Sequence, residues 1–119
     1  MSRFRKYRVA VLLREVISDI VLHKMKDPRV QDVTITEVQM SSDLKSARVY
    51  FSCLASSDSE VTKHGLESAL GFIRRELRHE VDLKYIPELS FFYDTSFDHS
   101  SKINRILKDL NIADSESDQ

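Results

Sequence analysis

The chain is poor in the residues that break regular structure. Its 119 residues include two glycines, two prolines, no tryptophan and one cysteine. So few breakers indicate regular elements joined by short connections. A lone cysteine, Cys53, excludes an internal disulfide and fits a reducing compartment. No apolar run is long enough to span a bilayer or to resemble a signal peptide, so we expect a cytoplasmic protein without membrane contact.

Sequence signatures of catalysis are also missing. The chain has no phosphate loop, dinucleotide fingerprint, zinc-ligand spacing or nucleophile elbow. Its four histidines (23, 64, 79 and 99) are scattered. Cys53 falls on the apolar side of a predicted strand, where a small buried residue is more common than a nucleophile. We therefore expect a protein that is not an enzyme and that uses no metal or cofactor.

The formal net charge of −1 conceals an uneven distribution. Residues 1–29 hold eight Lys or Arg against three Asp or Glu, whereas residues 109–119 hold four acidic residues and no basic one. A nearly neutral chain can therefore carry a local basic patch for a polyanion. The length and composition predict one domain over residues 1–112, followed by a disordered acidic tail over residues 113–119.

Apolar periodicity predicts the order of the elements. Spacing of i, i+3, i+4 and i+7 from Val9 to Val21, including Leu12, predicts a first helix that must end before Asp27-Pro28. Alternation over 33–40 and 47–53 predicts two strands that pair as an antiparallel hairpin.

A second long helix, a third strand near residues 89–93 and a short last helix near 103–110 complete the chain. The fold class is therefore α+β, with helices on one face of a three-stranded sheet. A slip in the alternation between Ile35 and Val38 indicates a bulge, and Gly71 indicates a kink in the second helix. The residues that we expect the sheet to present to the helices are Ile35, Val49, Phe51, Leu89 and Phe91.

Basic residues cluster at the N-terminus. Arginine and lysine alternate there with Phe4 and Tyr7, which is a phosphate-binding composition. A solvated helix end explains the pattern equally well. Positive charge opposes the helix macrodipole at this end, however, which favours binding over local stability. The basic residues of this N-terminal arm are Arg3, Arg5, Lys6 and Arg8.

A second basic cluster lies in the long helix. Gly71, Arg74, Arg75 and Arg78 are spaced i, i+3, i+4 and i+7 and share one face, with Lys63 near it. Glutamates 76 and 80 fall on the other flank of the apolar stripe. Pairing of arginine with glutamate along a solvated helix is the alternative. The segregation of charge favours RNA binding, with the glycine leaving bare backbone for close approach.

Three further cations, Lys24, Lys26 and Arg29, flank Asp27-Pro28. Their interaction with the dipole at the C-terminal end of the first helix is a sufficient explanation. A second interpretation is that they extend the basic surface. Tyr50 and Phe92 point away from the apolar strand faces. Such residues form a stacking platform for bases or lie under a terminal segment, here Phe97 and the last helix, and the second alternative is favoured.

These residues together resemble the ribosome-binding factor A family, over about residues 8–110. Each match is short, but their order and spacing are specific. The matching segments are Arg8-Val9, Lys26-Asp27-Pro28-Arg29, Asp43-Leu44 with the following Ala47, Val49 and Tyr50, Gly71-Phe72-Ile73-Arg74, and Pro87-Glu88-Leu89 with Phe91 and Asp94.

The resemblance implies a KH-like fold of type II, in which an Ala-x-Gly kink at Ala69-Leu70-Gly71 replaces the usual GxxG loop. It also implies a non-enzymatic monomer that binds the immature small (30S) ribosomal subunit and its 16S rRNA, assisting late maturation and rRNA processing, especially in the cold. The chain departs from the family pattern at Asp82, at Lys84, where arginine is usual, and at Ser100-Ser101.

Two functions remain open at this point. One is RNA binding by an assembly factor. The other is a protein-interaction module that docks on a ribosomal protein or another assembly factor without RNA contact. The residues expected to bind RNA are Arg3, Arg5, Lys6, Arg8, Lys24, Lys26, Arg29, Gly71, Arg74, Arg75, Arg78 and Lys84.

Overall fold

A computed structural model describes residues 2–54 and 57–96 of the chain. The expected short C-terminal helix and the acidic tail lie outside these residues. The elements are α1 (Ser2–Asp19), continued by a π-helical turn (Ile20–Lys24), then β1 (Thr34–Met40), β2 (Ser46–Ser52), α2 (Ser59–Ser68), α3 (Leu70–Glu80) and β3 (Glu88–Tyr93).

The three strands form one sheet in the order β1-β2-β3. β1 and β2 pair antiparallel as the predicted hairpin, and the register shifts between Ile35 and Glu37, where the bulge was expected. β3 pairs parallel to β2. A parallel neighbour requires a crossover, and α2 with α3 provides it. The α+β order agrees with the KH-like fold that the family resemblance implies.

The core lies between the helices and one face of the sheet. The five strand residues expected there are all buried, and Val49 and Phe51 are fully inaccessible. One expectation is wrong: Leu12 of α1 is 39% exposed, because it lies at the margin of the apolar stripe. The helical residues that are fully inaccessible in this core are Leu13, Ile17, Ile20, Leu66, Ile73 and Leu77.

The first helix ends in a wider turn than expected. After Asp19 the chain adopts a π-helical turn, which buries the consecutive residues Ile20 and Val21. One extra residue in the turn changes the direction of the following side chains. The helix gives way to extended backbone at Met25, ahead of Asp27-Pro28 as predicted.

The long second helix is broken at Ala69 and not at Gly71. Ala69 has φ −93° and ψ 8°, and its N–H closes α2 on the carbonyls of Gly65 and Leu66. Its own carbonyl accepts the first hydrogen bond of α3, from the N–H of Ile73. Gly71 lies inside α3 without a positive φ. The Ala-x-Gly segment therefore does mark the break, but the alanine makes it.

The segment after β2 also differs from the prediction. β2 ends at Ser52, so Cys53 lies just beyond the strand and is half-buried. Asp58 caps α2 by accepting a hydrogen bond of 2.9 Å from the N–H of Glu60.

Gly65 permits a close approach that sequence analysis missed. α2 packs against the turn that follows α1. A Cβ atom at residue 65 would lie 2.7 Å from Cγ2 of Val30 and 3.0 Å from Cβ of Arg29. Real Cβ atoms do not approach that closely, so glycine is required here for packing and not for backbone conformation.

We predict that Gly65→Ala destabilises the protein although alanine favours helix. Overpacking costs about 1–3 kcal/mol, which exceeds the gain in helix propensity of about 1 kcal/mol. Gly71→Ala is the matched control, because a Cβ atom there meets nothing within 4 Å. It should raise the free energy of unfolding by up to about 1 kcal/mol. Urea denaturation measures both, and equal effects of the two substitutions would contradict the packing argument.

Candidate nucleic-acid interface

Helix α3 presents an exposed basic face. Gly71, Arg75 and Arg78 are exposed and lie on one side of the helix. Within residues 2–54 and 57–96, no ion pair engages either arginine. Two guanidinium groups one turn apart, with no competing carboxylate in this part of the chain, can each donate two parallel hydrogen bonds to a phosphate.

Arg74 has a different environment from its neighbours. Its guanidinium is half-buried and donates from Nη1 to the carbonyl of Pro87 and from Nη2 to that of Ile86, the latter over 3.1 Å. It therefore joins α3 to the segment that leads into β3. The expectation that three equivalent arginines share one exposed face needs correction, because Arg74 is used in main-chain contacts.

Lys24 contacts the opposite flank of α3. Its Nζ lies 3.1 Å from Oε1 of Glu76 and 3.3 Å from Oε2 of Glu80. The hydrogen bond to Glu76, followed by that to Glu80, raises the pKa of Lys24. Lys24 therefore joins the first helix to α3. Sequence analysis had explained this lysine by complementation of its own helix dipole. The two glutamates pair with this lysine and not with the arginines of α3.

Arg29 is paired within its own turn. Its Nη2 donates to Oδ2 of Asp27 over 2.7 Å, and its Nε donates to Oδ1 over 3.1 Å. The side-chain hydrogen bond from Arg29 lowers the pKa of Asp27 to about 2. Lys26 is exposed and has no ion pair among the described residues. Of the three cations around Asp27-Pro28, Lys26 is therefore the one available to a ligand.

The N-terminal basic residues lie on the first turns of a helix, because α1 begins at Ser2. Arg5 and Arg8 are exposed, and Lys6 is half-buried. The aromatic rings beside them, Phe4 and Tyr7, are 72% and 70% exposed. The side chain of Arg3 lies outside the described part. This surface combines cations and unburied rings on the first turns of α1.

The segment before β3 adds a cation and an aromatic ring. Lys84 is exposed, and its Nζ lies 5.6 Å from the ring centroid of Tyr85. Tyr85 is 63% exposed and was missed by sequence analysis. Its exposure could have been predicted, because Tyr85 lies in a connecting segment without apolar alternation around it. Because Arg74 holds the next two carbonyls, this segment has a defined position beside α3.

Lys63 and Arg48 lie elsewhere than α3. Lys63 was expected near the arginines, but its Nζ lies 5.6 Å from the ring centroid of Phe92 on β3. Arg48 is exposed on β2 and pairs in register with Gln39 and Ser90. Sequence analysis did not propose Arg48, although the alternation of β2 places it on the same side as Tyr50.

The described residues offer surfaces for binding. They contain no group of three His, Cys, Asp or Glu side chains able to hold a metal ion. They also contain no helix that is long and apolar enough to cross a membrane. What the arrangement provides chemically is a set of exposed guanidinium and ammonium groups, which suit an anionic backbone.

Comparison with known proteins gives consistent matches along the chain. The family model of ribosome-binding factor A matches residues 5–107. Ribosome-binding factor A of Syntrophobacter fumaroxidans is 45% identical over 114 residues, covering 92% of this chain and 97% of its own. That of Streptococcus sanguinis is 41% identical over 111 residues, covering 92% and 96%.

Solved structures show the same fold. The crystal structure of ribosome-binding factor A from Thermus thermophilus superposes with a TM-score of 0.69 at 22% identity, covering 74% of this chain and 93% of its own. A homology model of the Thermus thermophilus factor, fitted into the cryo-EM map of its complex with 30S, gives a TM-score of 0.61 at 22% identity, covering 72% and 91%.

We predict that Arg74 contributes to the stability of the fold and that Arg78 does not. Arg74→Gln should lower the free energy of unfolding by about 1–3 kcal/mol, because two main-chain carbonyls lose a charged donor. Arg78→Gln should change it by less than about 0.5 kcal/mol, as exposed substitutions usually do. Chemical denaturation of the two variants measures this difference. Equal stability of both variants would show that the Arg74 contacts contribute nothing.

Proposed function

This chain belongs to the ribosome-binding factor A family, and from that membership we propose that it binds the immature small (30S) ribosomal subunit and its 16S rRNA. In this proposal it assists late maturation and rRNA processing, especially in the cold. It acts in the cytoplasm as a monomer, by binding and without catalysis. The complex with 30S formed by the Thermus thermophilus factor supports the choice of partner.

The observation that carries the proposal is the basic face of α3. Arg75 and Arg78 are exposed, one turn apart and without an ion pair among the described residues. Gly71 adds exposed backbone one turn earlier, with open space where a Cβ atom would be. A phosphate backbone can therefore approach the helix closely and accept paired hydrogen bonds from both guanidinium groups.

The other cations expected to bind RNA, apart from Arg3 and the half-buried Lys6, fall into two groups. Arg5, Arg8, Lys26 and Lys84 are exposed and extend the surface for phosphates. Lys24, Arg29 and Arg74 are engaged by protein groups and position the elements that carry the surface. The proposed RNA contacts therefore centre on α3, with further contacts from α1 and from the segment before β3.

The alternative function, docking on a ribosomal protein or another assembly factor, is favoured by one observation on α1. Phe4 and Tyr7 are largely exposed there, and Leu12 is 39% exposed. Exposed rings and aliphatic groups on one helix are typical of protein contacts. Salt separates the two functions, because apolar contacts keep their affinity as salt rises and phosphate contacts lose it.

We predict that replacing Arg75 and Arg78 together with glutamine weakens binding to precursor small subunits. At moderate salt the affinity should fall by roughly tenfold or more, because two phosphate contacts are lost. The slope of log affinity against log salt should flatten by roughly 1.5 for the same reason. Sedimentation binding to precursor subunits across a salt series measures both quantities, with a thermal melt as the folding control.

The matched control replaces Arg14 and Lys45, two exposed cations outside the proposed surface, with glutamine. It removes the same net charge from a different part of the surface. If the location of the charges determines RNA binding, affinity and salt slope should stay nearly unchanged. An equal loss of affinity in the two double variants would show that only the overall charge matters. An unchanged affinity and slope for the Arg75 and Arg78 variant, with the fold intact, would favour protein docking instead.

A further inference from the structure

The sheet has a second face that no described helix covers. We call it the open sheet face and define it by Gln39 of β1, Arg48 and Tyr50 of β2, and Ser90 and Phe92 of β3. These residues alternate with the buried ones along each strand. They therefore lie on the side opposite to the core.

Two aromatic rings lie side by side at the centre of this face. Tyr50 and Phe92 are partners in the parallel register of β2 and β3. Their ring centroids are 5.8 Å apart and the rings are inclined by 34°. Phe92 is 39% exposed. Rings on adjacent strands are held by the backbone, so they offer a surface for stacking that costs little ordering on contact.

Polar groups surround the rings. Gln39, Arg48, Ser90 and Phe92 line an open depression of about 390 Å³, together with residues at the ends of β1 and β2. The Tyr50 hydroxyl donates to Oε1 of Gln39 over 3.5 Å. Amide, guanidinium and hydroxyl groups next to an aromatic surface match the edges of a nucleobase, which carry both donors and acceptors.

We propose that the open sheet face binds unpaired nucleobases of single-stranded RNA, stacked on Tyr50 and Phe92. Arg48 and Gln39 hydrogen-bond to base edges, and the ammonium group of Lys63, 5.6 Å from the Phe92 centroid, lies over the platform. This inference rests on the proposed function, because the ligand is RNA in both. It adds a second contact surface, on the side of the molecule away from the core.

The charges on this face determine how it would bind. Glu37 is the register partner of Tyr50, and Glu88 lies on the same face at the start of β3. Two carboxylates thus accompany the cations Arg48 and Lys63, so the face has little net charge to attract a polyanion. Stacking, and not phosphate attraction, must carry the affinity, and its salt dependence should be weak.

The residues of the face also favour a base over an apolar segment of protein, including the last helix, which sequence analysis favoured as its cover and which lies outside the described residues. A docked amphipathic helix would require a continuous aliphatic surface, as on the core side. The open sheet face offers two rings among polar side chains and contains no leucine, isoleucine or valine. This composition suits planar, hydrogen-bonding ligands.

The test uses the full chain and a short single-stranded RNA that contains one 2-aminopurine, whose fluorescence falls when it stacks. Tyr50→Leu and Phe92→Leu keep apolar volume but remove the ring. Each should weaken binding by roughly fivefold to a hundredfold, the range for loss of one stacked base, and should abolish the quenching. Phe92→Tyr should keep both. Neither leucine variant should change the salt slope.

His64→Leu is the matched control, because it also replaces an exposed planar ring with leucine, on α2 and off the sheet. It should leave affinity and quenching unchanged. The proposal is overturned if the leucine variants, shown to be folded by a thermal melt, bind and quench like the original chain. It is also overturned if His64→Leu has the same effect, or if the full chain produces no quenching. Even then, the proposed function would still hold if the variant with Arg75 and Arg78 replaced bound precursor subunits with a flatter salt dependence.

Discussion

Polar contacts on both flanks hold helix α3 in one rotational setting. On one flank, Arg74 donates to the carbonyls of Ile86 and Pro87. On the other, Lys24 pairs with Glu76 and Glu80. Between these flanks, Ile73 and Leu77 are fully buried. A helix held by its apolar stripe alone would tolerate some rotation, whereas these contacts fix which side faces solvent.

This orientation of α3 separates the charged side chains that pair within the protein from those that face solvent. The carboxylates of α3 are paired with a lysine of the first helix, so they do not neutralise the arginines on the solvent side. Arg75 and Arg78 are left exposed beside Gly71, and the segment with Lys84 is held next to them through Arg74. The sheet contributes a second and different surface, nearly neutral and aromatic. Together they suit a ligand that has both phosphates and unpaired bases.

Sequence periodicity was sufficient to identify which strand residues face the core. Alternation placed Val49 and Phe51 on the helix side, and its slip located the bulge, because burial on one face specifies register strongly. The shared exposed side of Gly71, Arg75 and Arg78 also followed from spacing. The partners of Arg74 and Lys24 did not, because they lie on other elements, 12 to 56 residues away. The requirement for Gly65 depended in the same way on a turn packed against α2.

We propose that this chain recognises an immature small ribosomal subunit through exposed RNA-binding surfaces. Sedimentation of the unaltered, tagged chain with purified precursor subunits and with mature subunits tests it most directly. The chain should co-sediment preferentially with precursors and dissociate as salt is raised. Equal association with both kinds of subunit, or association with neither, would contradict it.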